Sequence, residues 1–197
     1  MNLVCFPSFT AGGLVCNLLN EKFTTISGVT VKSREHNVFK TGDNWKSPYK
    51  EYIKEFWEHK IKIYSKSSNW FGTHCHPSVI ECLSSFDKKI AITTKTETSK
   101  YYRFLRSYYI YFQSQVDPQF DINGLVSNIL NDEFESHNDC TNIEFSDIVD
   151  GTFVKEYNLN LDYFNIWKEK NIFLYKENSL LTQHFNKGLE YAIQKSY

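Results

Sequence analysis

No apolar run in this sequence approaches the roughly 20 residues that a membrane-spanning helix needs. No Lys or Arg precedes the first apolar stretch, and Pro7-Ser8-Phe9-Thr10 interrupts it early, so it reads as mature structure and not as a signal peptide. The phosphate-loop pattern GxxxxGK[ST] is missing, which argues against a P-loop nucleotide kinase. There is no CxxC pair. The five cysteines (Cys5, Cys16, Cys75, Cys82, Cys140) are odd in number and read as reduced, mostly buried thiols of a cytoplasmic protein. A basic excess is missing too: the net charge is −1, so no global field favours a nucleic acid, and any anion site must be local. Without repeats or low-complexity linkers, residues 1–197 read as one domain.

What is present is organised around the start of the chain. Leu3-Val4-Cys5-Phe6 reads as a buried strand. Pro7 to Gly13 follows as a loop, and apolar residues resume at helical spacing from Leu14. Such a turn suits a phosphate, because glycines let the backbone come close and the first helical turn offers N–H groups and a positive dipole end. Thr10 can cap that helix and add a hydroxyl donor. The same turn is also compatible with a strand-to-helix connection that binds nothing.

Residues 21–46 are polar and loop-rich, with a short β-like piece at Val29-Thr30-Val31. From Ser47-Pro48 the spacing of Tyr49, Tyr52, Ile53, Phe56 and Trp57 predicts an amphipathic helix. Trp70 to Thr73 is predicted as a strand ending in His74-Cys75-His76, with a helix through Val79, Ile80 and Leu83 after it. Those three ligand-type residues lack a second cluster at zinc spacing, and neighbours on an extended chain point apart, so proton transfer by a histidine at the strand end is preferred to metal binding. A structural role for that histidine stays open. Lys88 to Thr94 reads as a strand leading to a helix from Lys100 to about Gln115, capped by Thr98 or Ser99. On it Arg103, Arg106 and Ser107 are spaced to share a face with Lys95. Further on, the pattern predicts a helix over Ile122 to Leu130 and a strand over Asn142 to Phe145. A helix through Ile148 and Val154, one at Leu161 to Trp167 and one from Ser179 to Ser196 complete the chain. Strands alternating with helices imply an α/β fold whose mainly parallel sheet is flanked by helices in three layers, with Leu3 to Phe6 central.

The order of these parts resembles the sulfotransferases that use 3′-phosphoadenosine 5′-phosphosulfate. Phe6-Pro7 through Gly12-Gly13 is similar to the family's phosphosulfate loop. Gly72-Thr73-His74-Cys75-His76-Pro77 is similar to its Lys-Thr-His-Leu-Pro strand end. Lys89 to Lys95, with Arg106-Ser107-Tyr108-Tyr109, is similar to its 3′-phosphate segment. The likeness covers roughly the first half of the chain and is fainter at Ile143-Glu144-Phe145-Ser146.

The resemblance implies a P-loop-like sulfotransferase architecture and metal-free sulfuryl transfer to a hydroxyl or amine of a small-molecule or carbohydrate acceptor. It implies a co-substrate site at Pro7, Ser8, Phe9, Thr10, Ala11, Gly12, Gly13 and Leu14, with Lys95, Arg103, Arg106 and Ser107 at the 3′-phosphate and His74 as catalytic base. The chain also departs from the family. Ser8 and Phe9 stand where a loop Lys or Arg is usual, Lys95 stands where an Arg is usual, and no late Arg-Lys-Gly segment is evident. A non-catalytic nucleotide-binding or interaction protein on the same fold is the alternative.

Overall fold

The computed structural model describes residues 1–21, 58, 62, 69–74, 76–80, 83–113, 122–131 and 134–195. The expected excursion after residue 21, the helix from Ser47, and Cys75 and Cys82 lie outside them. Strands β1 (Asn2–Cys5), β2 (Trp70–Thr73), β3 (Lys88–Thr93) and β4 (Thr141–Glu144) form one sheet in the order β2-β1-β3-β4. All three pairings are parallel, so the α/β expectation holds and β1 is an interior strand. In register, Cys5 stands beside Thr73 on one side and Ala91 on the other, and Thr93 stands beside Glu144.

Helices α1 (Gly12–Leu19), α2 (Glu97–Gln113), α3 (Ile122–Asn131), α4 (Phe145–Val149), α5 (Thr152–Glu156), α6 (Leu161–Lys170) and α7 (Ser179–Lys195) supply the rest of the core. Val4, Ile90 and Ile92 from the sheet join Val15 of α1, Phe104 and Leu105 of α2 and Phe145 of α4 in one buried cluster. Each such side chain contributes about 1.5–3 kcal/mol on burial. The end of α1 is tied to β2 by the Asn20 side-chain amide, which donates to the Trp70 carbonyl at 2.9 Å and accepts from the Trp70 N–H at 2.7 Å.

Several boundaries differ from the sequence reading. The last strand ends at Glu144, and the fully buried Phe145 opens α4 instead of closing β4. The helix through Ile148 and Val154 is two helices, because Gly151 turns the chain at φ 87°, where a Cβ would lie 3.0 Å from the Phe164 ring. The helix expected through Val79, Ile80 and Leu83 is a pair of 3₁₀ turns, Pro77–Val79 and Leu83–Ser85, with Ile80 extended after the first. Helix α2 begins earlier than expected, and its first turn is capped by Thr96, whose hydroxyl accepts from the Ser99 N–H at 3.1 Å. Cys5 and Cys16 are buried and Cys140 is half-buried. Among the described residues no helix is long and apolar enough to cross a membrane.

Helices α3 and α7 meet at Gly188, where an added Cβ would lie 2.2 Å from Val126 Cγ1. Ala gains about 1 kcal/mol over Gly in a helix interior, but overpacking against a stiff Val costs about 1–3 kcal/mol. The clash wins. Gly188→Ala should lower the urea midpoint, and pairing it with Val126→Ala should cost clearly less than the two single changes added together.

Candidate functional site

The chain leaves β1 toward β2 and leaves β3 toward β4, so the strand order reverses between β1 and β3. Open α/β sheets bind ligands at the carboxyl ends of the strands flanking such a switch point. Here that position is formed by the loop from Phe6 to Gly13 and by the turn from Thr94 to Glu97.

The loop is built differently from the sequence expectation. Its left-handed residues are Phe9 (φ 70°) and Ala11 (φ 58°), not the glycines, and each costs about 1–2 kcal/mol relative to a relaxed backbone. Gly12 is already helical, and a Cβ there would lie 2.2 Å from the Phe6 ring, so this glycine serves close packing of strand end against helix start. Thr10 does not cap α1. It is fully buried and its hydroxyl donates to the Pro7 carbonyl at 2.7 Å, while Ala11 is the N-cap without a side-chain bond. An αL residue followed by helical ones presents successive N–H groups in a concave set suited to an anion, here from Ala11, Gly12 and Gly13. Pro7, Ala11, Gly12 and Leu14 are buried, while Ser8, Phe9 and Gly13 reach the surface.

Two side chains from distant segments converge on this loop. Arg103 on α2, only 4% exposed, donates from Nε to the Ser8 carbonyl at 3.0 Å. A cation therefore lies against the loop although the loop itself has none. His74, directly after β2, stands with Nδ1 3.3 Å from the Phe6 carbonyl and its ring edge-on to Phe6 at 4.6 Å. Since a carbonyl only accepts, that bond requires the proton on Nδ1 and makes Nε2 the basic nitrogen of the neutral ring. The Phe6 ring touches both His74 and the position a Gly12 Cβ would take.

His76 is engaged at both ring nitrogens. Nδ1 accepts from the Ser78 N–H at 3.2 Å, and Nε2 then donates to the Glu135 carbonyl at 3.2 Å. It caps the first 3₁₀ turn. Among the described residues no group of three His, Cys, Asp or Glu is arranged to hold a metal ion.

Of the four residues assigned to a 3′-phosphate, Arg103, Lys95 and Arg106 have different partners and Ser107 has none for its hydroxyl. Lys95 is exposed and its ammonium donates to the Ser136 hydroxyl. Arg106 donates from Nε to Asn171 Oδ1 at 3.4 Å and lies 5.9 Å from the centre of the Trp167 ring, with burial pushing its guanidinium down to about 10, still a cation at neutral pH. Ser107 is fully enclosed. The reason is local: Lys95 lies before α2 in the turn, outside the helical spacing, and helix α6 with the turn after it takes up Arg106.

Glu144 is the residue that sequence reasoning missed. Its carboxylate accepts from the Thr93 hydroxyl at 2.8 Å, the Lys95 N–H at 3.1 Å and the Thr96 hydroxyl at 3.3 Å, across the carboxyl ends of β3 and β4. The turn it bonds lies about 50 residues away in sequence, so no local pattern marks it. Two further hydroxyls, Thr94 (1% exposed) and Ser107, are buried without a hydrogen-bond partner, a state that costs about 1–3 kcal/mol each. Thr94 directly follows the carboxyl end of β3. No family profile, curated protein or solved structure matches the chain.

Burial alone would raise the Glu144 carboxyl, but hydrogen bonds from Ser99, Thr93 and the Lys95 and Thr96 backbone outweigh it and hold the group below the ordinary carboxylate value. A depressed carboxyl stabilises the fold above its unfolded pKa, about 4.3, and loses that contribution as pH falls through the folded value. Thermal melts from pH 7 to pH 3 should therefore show a steeper acid loss for the natural chain than for Glu144→Gln. Parallel pH profiles would refute the network.

Proposed function

We propose that the chain binds the 5′-phosphate end of a nucleotide at the β1 loop and acts as a sulfotransferase, with 3′-phosphoadenosine 5′-phosphosulfate as the donor suggested by the resemblance. The observation that carries this reading is the convergence of His74 and Arg103 on one loop at the switch point, through the Phe6 and Ser8 carbonyls. The donor set fits a phosphosulfate: the amides of Ala11, Gly12 and Gly13 at a helix start, a buried guanidinium bonded to the same loop at Ser8, and the unpartnered Thr94 hydroxyl at the end of the neighbouring strand β3. Arg103 supplies from α2 the charge that the family loop carries in its own sequence.

In this reading His74 Nε2 removes the proton of an acceptor hydroxyl as the acceptor oxygen bonds to sulfur. The bond from sulfur to the bridging oxygen breaks, and its electron pair leaves with the 5′-phosphate. Arg103 and the loop amides stabilise the charge that gathers on that oxygen, where fixed donors act most strongly. The acceptor is a small molecule or carbohydrate.

A nucleotide-binding protein without turnover is the second reading, favoured by Glu144, whose carboxylate occupies the donors of the turn holding Lys95, the residue that the resemblance assigns to a phosphate. Sulfuryl transfer from labelled donor to an acceptor panel separates the two.

Adenosine 5′-monophosphate should bind the natural chain in a calorimetric titration. Losing a charge-assisted contact costs about 1.5–3 kcal/mol, so Arg103→Gln should weaken binding about ten- to a hundredfold and Arg103→Lys by less. With melting temperatures measured alongside, unchanged affinity in a folded Arg103→Gln protein would remove Arg103 from the site. His74→Asn should keep nucleotide affinity and lower turnover on a working acceptor by about a hundredfold or more. Equal turnover would assign the base elsewhere.

A further inference from the structure

The turn that opens α2 already holds an anion, and it belongs to the chain. The Thr93 hydroxyl, the Lys95 N–H and the Thr96 hydroxyl are the kind of donor set that a phosphate takes at a helix start, and all three point at the Glu144 carboxylate. The position is fixed by the fold, because Glu144 is the register partner of Thr93 in the sheet. A phosphate entering this turn must displace the carboxylate from its donors and then remain beside it as a like charge. Of the cations that the resemblance assigns to this phosphate, Lys95 is turned to Ser136, Arg103 to the Ser8 carbonyl and Arg106 to Asn171 and Trp167.

We infer that Glu144 sets the specificity of the site at the nucleotide's 3′ end, filling the position a 3′-phosphate would need and favouring a nucleotide that carries no phosphate there. The inference rests on the reading that a nucleotide 5′-phosphate binds at Ala11, Gly12 and Gly13 and on the resemblance, which assigns the turn at Lys95 to the 3′-phosphate. It replaces the 3′-phosphorylated donor suggested by the resemblance with a nucleoside 5′-phosphosulfate that carries no 3′-phosphate. A carboxylate in that place also suits a ribose hydroxyl, which can donate to it.

The test is the ratio of affinities for adenosine 3′,5′-bisphosphate and adenosine 5′-monophosphate, measured by calorimetry on the natural chain, Glu144→Gln and Glu144→Asp. Glutamine keeps the size and an acceptor oxygen while removing the charge, and aspartate keeps the charge, so the pair separates electrostatics from packing. The natural chain should bind the bisphosphate no better than the monophosphate. Glu144→Gln should raise the ratio about tenfold or more in favour of the bisphosphate, the scale of one charge-assisted contact, and Glu144→Asp should leave it near the natural value. A natural chain that prefers the bisphosphate, with the same ratio in Glu144→Gln, would overturn the role of Glu144 and leave nucleotide binding at the loop intact. Failure of both nucleotides to bind any of the three folded proteins would overturn the loop reading and this inference together.

Discussion

The buried guanidinium of Arg103 bonded to the Ser8 carbonyl is the contact on which the site depends. It joins the middle of α2 to the loop after β1, two segments 95 residues apart in sequence, and puts a positive charge where the loop sequence has none. Burying such a charge is costly unless its hydrogen bonds are met, so the guanidinium constrains the loop as much as the loop constrains it. Left-handed Phe9 and Ala11 are tolerated within that constraint. The backbone they produce turns the first N–H groups of α1 together at the carboxyl ends of the strands.

This arrangement divides the resemblance to sulfotransferases into two parts. At the 5′ end the loop, His74 and Arg103 come together in a geometry that serves the proposed chemistry, even though the cation arrives from another helix. At the 3′ end the pieces separate, and Glu144 takes the donors of the α2 turn. On the proposed function, the loop amides and the buried arginine take one phosphate and the carboxylate opposes a second, which makes the proposed site a nucleotide site with altered selectivity.

The strands were legible because parallel, buried strands read as continuous apolar runs, as Leu3-Val4-Cys5 and Ile90-Ala91-Ile92 do. Their boundaries were less so: Phe145 is as apolar as a strand residue, and only tertiary packing makes it the first residue of α4. In the site, His74 and the loop were visible as local patterns. The contact of Arg103 with Ser8 was not, since helical spacing shows which residues share a face but not what that face meets. The glycines misled in a specific way: Gly12 and Gly13 suggested a backbone brought close to a phosphate, whereas Gly12 makes room for Phe6, and Phe9 and Ala11 carry the unusual backbone. Glu144 was hidden because its role depends on the β3 to β4 register, which no local window contains.

The central claim is that the loop after β1 is an anion site formed by backbone amides with Arg103 behind it and His74 at its edge. A crystal structure with an adenosine 5′-phosphate soaked in tests it most directly. The account predicts the phosphate within about 3 Å of the Gly12 and Gly13 nitrogens, and the His74 Nε2 facing the same space. A phosphate bound elsewhere on the fold, or a His74 ring turned away from the bound phosphate, would contradict it.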